Sequence, residues 1–179
     1  MSEEYEIKRK ISHLSSRLYG DIRTICGTEG LTQSRLEELI QVVTLDRIKL
    51  AFCLYACAKK LDAHEDKQDG DYRSIISRCY YCHYHLARAA IFSLTKDDID
   101  EHEKLPKSLS KVLPSEYAEF IKKLEQYRGI RNEIEYSPYP EIDNSLEETA
   151  KEILQETKHS IELIVCCFRE RGIEVDATI

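Results

Sequence analysis

From Tyr72 to Leu94 the chain carries no glycine and no proline. Within that stretch Tyr72, Ile75, Ile76, Cys79, His83, Leu86, Ala87, Ala90 and Leu94 recur at three- and four-residue spacing. This period puts them on one face of a helix, and a helix of that length must bury its face against other helices. The rest of the chain allows the same architecture. Six glycines and four prolines in 179 residues leave few breakpoints, which favours long helices over many short strands.

The remaining elements follow from the same period. Ile7, Ile11, Leu14, Leu18 and Ile22 form one stripe, predicting a single N-terminal helix from Glu3 to Cys26 that ends at Gly27 and Gly30. Ser34 and Glu37 read as a capping box opening the next helix. From Asp46 to Ala63 the apolar groups lie nearly all round, which predicts a central helix. Residues 64–71 are polar and carry Gly70, a turn. Residues 95–111, acidic and then basic around Pro106, read as a loop or a short helix. After Pro114 a further helix is expected, with Ser115 as its cap and Tyr117, Phe120, Ile121, Leu124 and Tyr127 buried. Ser145 and Glu148 form another capping box. The last stripe runs through Ile153, Leu154, Thr157, Ile161, Ile164, Cys167 and Phe168 to a stop at Gly172. The expected fold is all-α: an antiparallel bundle of four to five helices with an added N-terminal helix. The expected divisions are 1–30 for that helix, 31–172 for the bundle and 173–179 for a loose tail.

A net charge of -7 excludes coating of nucleic acid by bulk charge, so any such contact needs a local basic patch. Met1 to Lys10 is mostly charged with no apolar region after it, and no run reaches the roughly eighteen apolar residues that span a bilayer. A cytoplasmic protein with no membrane contact is expected. Its seven cysteines then read as reduced thiols serving as small core hydrophobes.

Cys79-Tyr80-Tyr81-Cys82-His83 matches a haem-attachment spacing. That chemistry belongs to exported proteins, and no second cysteine pair completes a zinc set with His83 or His85. Core packing is the better reading, with no metal and no cofactor; Cys53 and Cys57, one turn apart, read the same way. Tyr72, Tyr80, Tyr81 and Tyr84 could stack on bases, but tyrosines on a bundle helix more often bury the ring and leave the hydroxyl wet. The run Asp97-Asp98-Ile99-Asp100-Glu101 reads as a solvated loop with weak potential for Mg²⁺. No Ser-His-Asp signature and no glycine-rich phosphate loop is present.

The chemistry-bearing stretch is Tyr127 to Pro140, Tyr-Arg-Gly-Ile-Arg-Asn-Glu-Ile-Glu-Tyr-Ser-Pro-Tyr-Pro. Arg128 and Arg131, three apart, share a helix face, and Pro138 and Pro140 stop the helix. Guanidiniums hold phosphate bidentately, Asn132 can donate to a phosphate or sugar oxygen, and Tyr136 can donate to a developing negative oxygen. Phosphate binding by Arg128 and Arg131 is set against the plainer alternative, pairing with Glu133, Glu135 or a neighbouring helix.

Two segments resemble the HEPN domain family. Arg78 to Ala90, Arg-Cys-Tyr-Tyr-Cys-His-Tyr-His-Leu-Ala-Arg-Ala-Ala, is similar to its aromatic, alanine-rich second core helix. Arg131-Asn132-Glu133-Ile134-Glu135-Tyr136 is similar to the signature at the end of its third. The resemblance covers about Leu45 to Arg171. It implies a bundle of four or five helices, usually a homodimer, in which an Arg-x(4–6)-His motif from each subunit faces a shared cleft. In ribonuclease members it implies metal-independent cleavage by the RNA's own 2′-hydroxyl. Here Arg131 and Asn132 match the first half of the motif, while Tyr136 stands at the histidine position; tyrosine, with a pKa near 10, is a poor acid–base group at neutrality. The resemblance therefore implies a dimer that binds RNA or nucleotide phosphate with little or no catalysis, in some members beside a nucleotidyltransferase subunit. The alternatives are a toxin-type ribonuclease using Arg131, Asn132 and Tyr136, and an antitoxin or scaffold that docks a partner through the N-terminal helix.

Overall fold

The structure, a computed structural model, describes residues 3–25 and 33–175. Among these residues are seven α-helices, a 3₁₀ turn and no strand. They are α1 (Glu3–Ile11), α2 (Ser16–Ile25), α3 (Gln33–Asp62), α4 (Asp69–Thr95), α5 (Lys104–Leu109), α6 (Ala118–Tyr136) and α7 (Leu146–Arg169). None of the described helices is long and apolar enough to cross a membrane.

The Tyr72–Leu94 pattern is α4, and it is the axis of the bundle: α3, α5, α6 and α7 all pack on it. Its N-terminus is fixed where the Asp71 carboxylate accepts from the Gln68 backbone N–H at 2.9 Å, a local bond that satisfies a donor the helix cannot. At its C-terminus Lys96 adopts φ +60° and its N–H returns to the Phe92 carbonyl at 2.9 Å. Ile75, Ile76, Cys79, Tyr80, Cys82, His83, Leu86, Ala87 and Ala90 are all buried. Small residues at 87, 89 and 90 let neighbouring helices approach closely. Tyr80, Phe120, Tyr127 and Phe168 are completely enclosed, each such side chain worth about 1.5–3 kcal/mol of transfer free energy.

The capping box at the start of α7 forms as expected, with Glu148 N–H donating to Ser145 Oγ at 3.2 Å and Ser145 N–H to Glu148 Oε2 at 3.2 Å. Past its end Gly172 takes φ +72°, and the bonds Gly172 N–H to Arg169 O (2.9 Å) and Ile173 N–H to Phe168 O (3.0 Å) close the helix.

Five expectations are corrected. The N-terminal stripe is two helices, because Leu14 turns into the core and Ser15 Oγ caps α2 by accepting from Leu18 N–H at 3.1 Å. The single stripe is thereby broken, leaving Ile7 and Leu18 exposed; Cys26, Gly27 and Gly30 lie outside the described residues. Ser34 is not a cap but lies inside α3, whose Glu37 instead accepts from the Tyr19 hydroxyl. The apolar circumference of α3 is not central, since Leu50, Cys53, Ala56 and Cys57 face outward. Ser115 opens a 3₁₀ turn, Ser115–Tyr117, and α6 starts only at Ala118. Ile173 and Val175, assigned to a loose tail, pack on the main core, while residues 176–179 lie outside the described residues.

The cysteines divide. Cys79, Cys82 and Cys167 are buried, as small hydrophobes should be, but Cys53, Cys57 and Cys166 are exposed. A second, smaller core lies where α1, α2 and the N-terminal half of α3 meet Phe92 of α4, built from Ile11, Leu14, Leu36, Leu39, Ile40 and Val43.

Candidate functional site

The end of α6 is held in place by α4. Arg73 of α4 donates to the carbonyls of Ile134, Ser137 (3.0 Å) and Pro138 (3.3 Å). It thus supplies donors for carbonyls at a helix terminus that lack intrahelical partners. Four and eight residues further along the same face of α4, Ser77 donates to Glu135 Oε1 at 2.6 Å and the Tyr81 hydroxyl accepts from Arg131 Nη2 at 2.8 Å. Arg73, Ser77 and Tyr81 are therefore a scaffold for the candidate site. Their i, i+4, i+8 spacing was visible in the sequence; what they reach was not.

Arg131 is largely engaged within its own chain. Besides Tyr81, Nη2 pairs with Glu135 Oε2 at 2.9 Å, and the guanidinium lies 5.3 Å from the Tyr81 ring centre and 5.7 Å from that of Tyr136. Its Nε is buried without a hydrogen-bond partner. Burial opposes its charge, but the facing Tyr81, Glu135 and Tyr136 outweigh that and hold its pKa above the ordinary value. The pairing alternative is thus realised for this residue. Its remaining edge points outward: Nη1 donates to Asn132 Oδ1 at 3.1 Å across exposed surface. Because a guanidinium only donates, this bond fixes Asn132 with its amide oxygen inward and its two N–H donors free.

Arg128 is looser, half-buried and 3.8 Å from Glu103, itself 87% exposed. Tyr136 and Tyr139 stand out from the surface at 78% and 86% exposure. The backbone between them is tethered by Arg73 and by Glu141 N–H donating to Glu133 Oε1 at 3.1 Å. The site thus combines a semi-free cation, a presented amide and two bare aromatic rings at one helix end.

Sequence reasoning missed His102, which lies between the acidic run and α5. Its ring stacks on Tyr84 (centres 4.1 Å apart, 11° between planes) and meets Tyr81 edge-on at 6.2 Å. Tyr81 is also the partner of Arg131, so one tyrosine bridges the histidine and the arginine. Nδ1 of His102 is hydrogen-bonded to the Tyr80 hydroxyl. Burial first, then the positive fields of Arg131, Arg128 and Arg88, lower its pKa, which favours a neutral imidazole. Tyrosine hydroxyls expected to be wet are bonded within the protein instead: Tyr80 to His102, Tyr81 to Arg131, and Tyr84 to the Asp100 carbonyl at 2.7 Å. His102 could not be placed from spacing, because it reaches the arginines through a loop.

The acidic run is not a solvated loop throughout. Asp98 is 4% exposed and binds Arg88 at 2.6 and 2.7 Å and Arg47 at 2.8 Å. His83, one of the candidate metal ligands, is fully buried, hydrogen-bonds the Cys79 carbonyl through Nδ1 at 2.9 Å, and stacks on Phe120. Burial lowers its pKa to about 4. The Cys79 thiol is pushed up to about 12, again by burial. A neutral imidazole and two protonated thiols in apolar surroundings are packing groups.

Comparison with known families finds a match over residues 56–168 to the HEPN domain. No curated protein and no solved structure gives a match.

Proposed function

The chain belongs to the HEPN domain family, and from that premise we propose that the end of α6 binds single-stranded RNA or nucleotide phosphate in a homodimer. The observation that carries this reading is the near-complete exposure of Tyr136 and Tyr139 at the end of the helix that presents the Asn132 amide and, two turns earlier, Arg128. Bare aromatic rings offer stacking surfaces that any base can use, worth about 1–3 kcal/mol per base. Arg128 supplies the phosphate charge, the Nη1 edge of Arg131 a second donor, and Asn132 a neutral one. Arg131 acts chiefly as a positioning residue, orienting Asn132 and supporting the Tyr136 ring.

Titration of a labelled single-stranded RNA by fluorescence anisotropy at two salt concentrations tests this. Affinity falls with salt, and Arg128→Ala both weakens binding and shallows the salt slope by about one released counterion or less. A slope unchanged by Arg128→Ala contradicts the assignment. Sedimentation of the same samples reads the dimer.

A second reading, metal-independent RNA cleavage, is supported by His102. With its pKa lowered, the imidazole is in the form that can accept a proton from a 2′-hydroxyl, the role Tyr136 fills poorly. Incubating labelled RNA with pure protein and EDTA discriminates the two. Cleavage lost in His102→Gln and kept in Tyr136→Phe supports catalysis; intact RNA at high protein concentration removes it.

A further inference from the structure

On the side of the bundle built by α1, α3 and α4 there is a cavity of about 470 Å³, within the range of about 300–1,000 Å³ typical of small-molecule sites. Its lining holds four permanently cationic side chains, Lys8, Arg9, Arg47 and Arg88, and one carboxylate, Asp46. Lys8 and Arg9 at its rim have partners of their own, Glu4 at 3.2 Å and Glu6 at 3.2 Å. The deep pair is balanced differently. Arg47 and Arg88, with side chains 9% and 14% exposed, share the single buried carboxylate of Asp98. The only other group close to that carboxylate among the described ion pairs is His13, at 3.4 Å.

The two guanidiniums thus share one buried carboxylate, and the further acidic groups, Asp46 on the cavity wall and Asp100 acting on Arg88, carry no ion pair with them among the described residues; a bound anion would complete the balance. The imbalance is also visible atom by atom. Arg47 stacks on Phe92 with its carbon 4.6 Å from the ring centre, and Nη2 donates to Asp98 and the Ser12 carbonyl, but Nη1 is buried with no hydrogen-bond partner. Burial, with Arg88 adding repulsion, brings its pKa down to about 10 in spite of Asp98. Val43 and Leu50, the latter 45% exposed, give the cavity an apolar side.

We infer that this cavity is a second ligand site, which takes a nucleotide-sized organic phosphate, its phosphate against Arg47 and Arg88 and its apolar group against Leu50 and Val43. Guanidinium forks match phosphate oxygens bidentately, and the rim cations Lys8 and Arg9 can release their flexible carboxylate partners, since exposed pairs of that kind are weak. The site shares no residue with the end of α6, so it stands or falls apart from the RNA reading.

Isothermal titration of the full chain with adenosine 5′-monophosphate tests it, with adenosine and inorganic phosphate as comparison probes. Saturable binding of the monophosphate is expected, weaker binding of inorganic phosphate, and none of adenosine. Lys8→Ala with Arg9→Ala, at a partly exposed and an exposed position, weakens the monophosphate several-fold, and Arg47→Met by about tenfold or more. Lys122→Ala, an exposed cation outside both sites, leaves it unchanged. If Arg47→Met does not fold, the rim variant decides. The proposal is overturned by absence of heat with both phosphates, by equal binding of adenosine, by rim-variant affinity equal to that of the unaltered chain, or by loss in Arg131→Ala, which would move the ligand to the α6 end.

Discussion

Arg131 and Arg47 are both guanidiniums drawn out of water by α4 neighbours, yet their surroundings differ in one respect. Arg131 has a carboxylate of its own, Glu135, one turn along the same helix, and a tyrosine hydroxyl from the next. Arg47 divides Asp98 with Arg88. The first arrangement pairs one guanidinium with one carboxylate, with only Nε left unpartnered, so the arginine can spend its outer edge on Asn132. The second has one buried carboxylate for two guanidiniums. The comparison teaches that burial alone does not mark a ligand-binding arginine; the number of carboxylates per guanidinium is the more telling quantity.

The most disruptive way to break this comparison is to remove the shared carboxylate. Asp98→Asn leaves two buried guanidiniums without a counter-charge, and urea denaturation should register a loss of about 3–5 kcal/mol. A loss below about 1 kcal/mol, typical of an exposed pair, means that Arg47 and Arg88 are already solvated and the contrast is false.

Acid probes the helix both regions lean on. His83 titrates at about 4 when folded against about 6.5 when unfolded. Between those values the unfolded chain binds the extra proton, so stability falls as pH drops from 6.5 towards 4 and is unaffected by this group at higher pH. The expected loss is on the order of 3 kcal/mol. His83→Phe should remove that component of the slope, whereas an unchanged slope in the variant assigns acid sensitivity to other groups.

Arg73→Ala sharpens the α6 half. It strips donors from three carbonyls at the helix end, costing about 1–2 kcal/mol, and it should weaken RNA binding by releasing the Tyr136–Tyr139 segment. Stability loss without any change in binding detaches the scaffold from the site. The smallest effect is expected for Glu135→Gln. Its i,i+4 pair with Arg131 is partly exposed, at 15% and 33% for the two side chains, and its loss should cost about 1 kcal/mol or less in the same urea assay. A cost comparable to that of Asp98→Asn would erase the distinction between the two arginines.

Much of the architecture was readable from periodicity. The α4 stripe, the buried face of α6 and the Ser145–Glu148 box all depend on residues a few positions apart, which is the range over which sequence pattern and helix geometry are directly linked. The stop at Gly172 is legible for the same reason. What failed depended on tertiary partners. The single N-terminal stripe passes through Ser15 on paper, but Leu14 burying itself in the smaller core breaks it there, and Ser34, expected as a cap, is already the second residue of α3. Leu50 and Cys53 look like core because the pattern counts apolar residues without knowing how many neighbours a helix has.

The candidate residues Arg128, Arg131, Asn132 and Tyr136 were legible as one cluster because they lie within about two turns of one helix. His102 and Asp98 come from a loop that folds back over α4, a closure no local spacing encodes. Asp98 was the harder case, since an acidic run normally solvates, and only the arrival of Arg47 from α3 and Arg88 from α4 makes one of its members a buried hub.

The account rests most directly on the exposed rings at the end of α6. Labelled single-stranded RNA titrated against the double variant Tyr136→Ala/Tyr139→Ala, at fixed salt and with thermal melting measured alongside, tests them. Two lost stacking contacts predict affinity lower by about tenfold or more with the melting temperature nearly unchanged, because Tyr139 is 86% exposed and Tyr136 contributes only an exposed contact with Arg131. RNA bound as tightly as by the unaltered chain contradicts the assignment of this surface to nucleic acid.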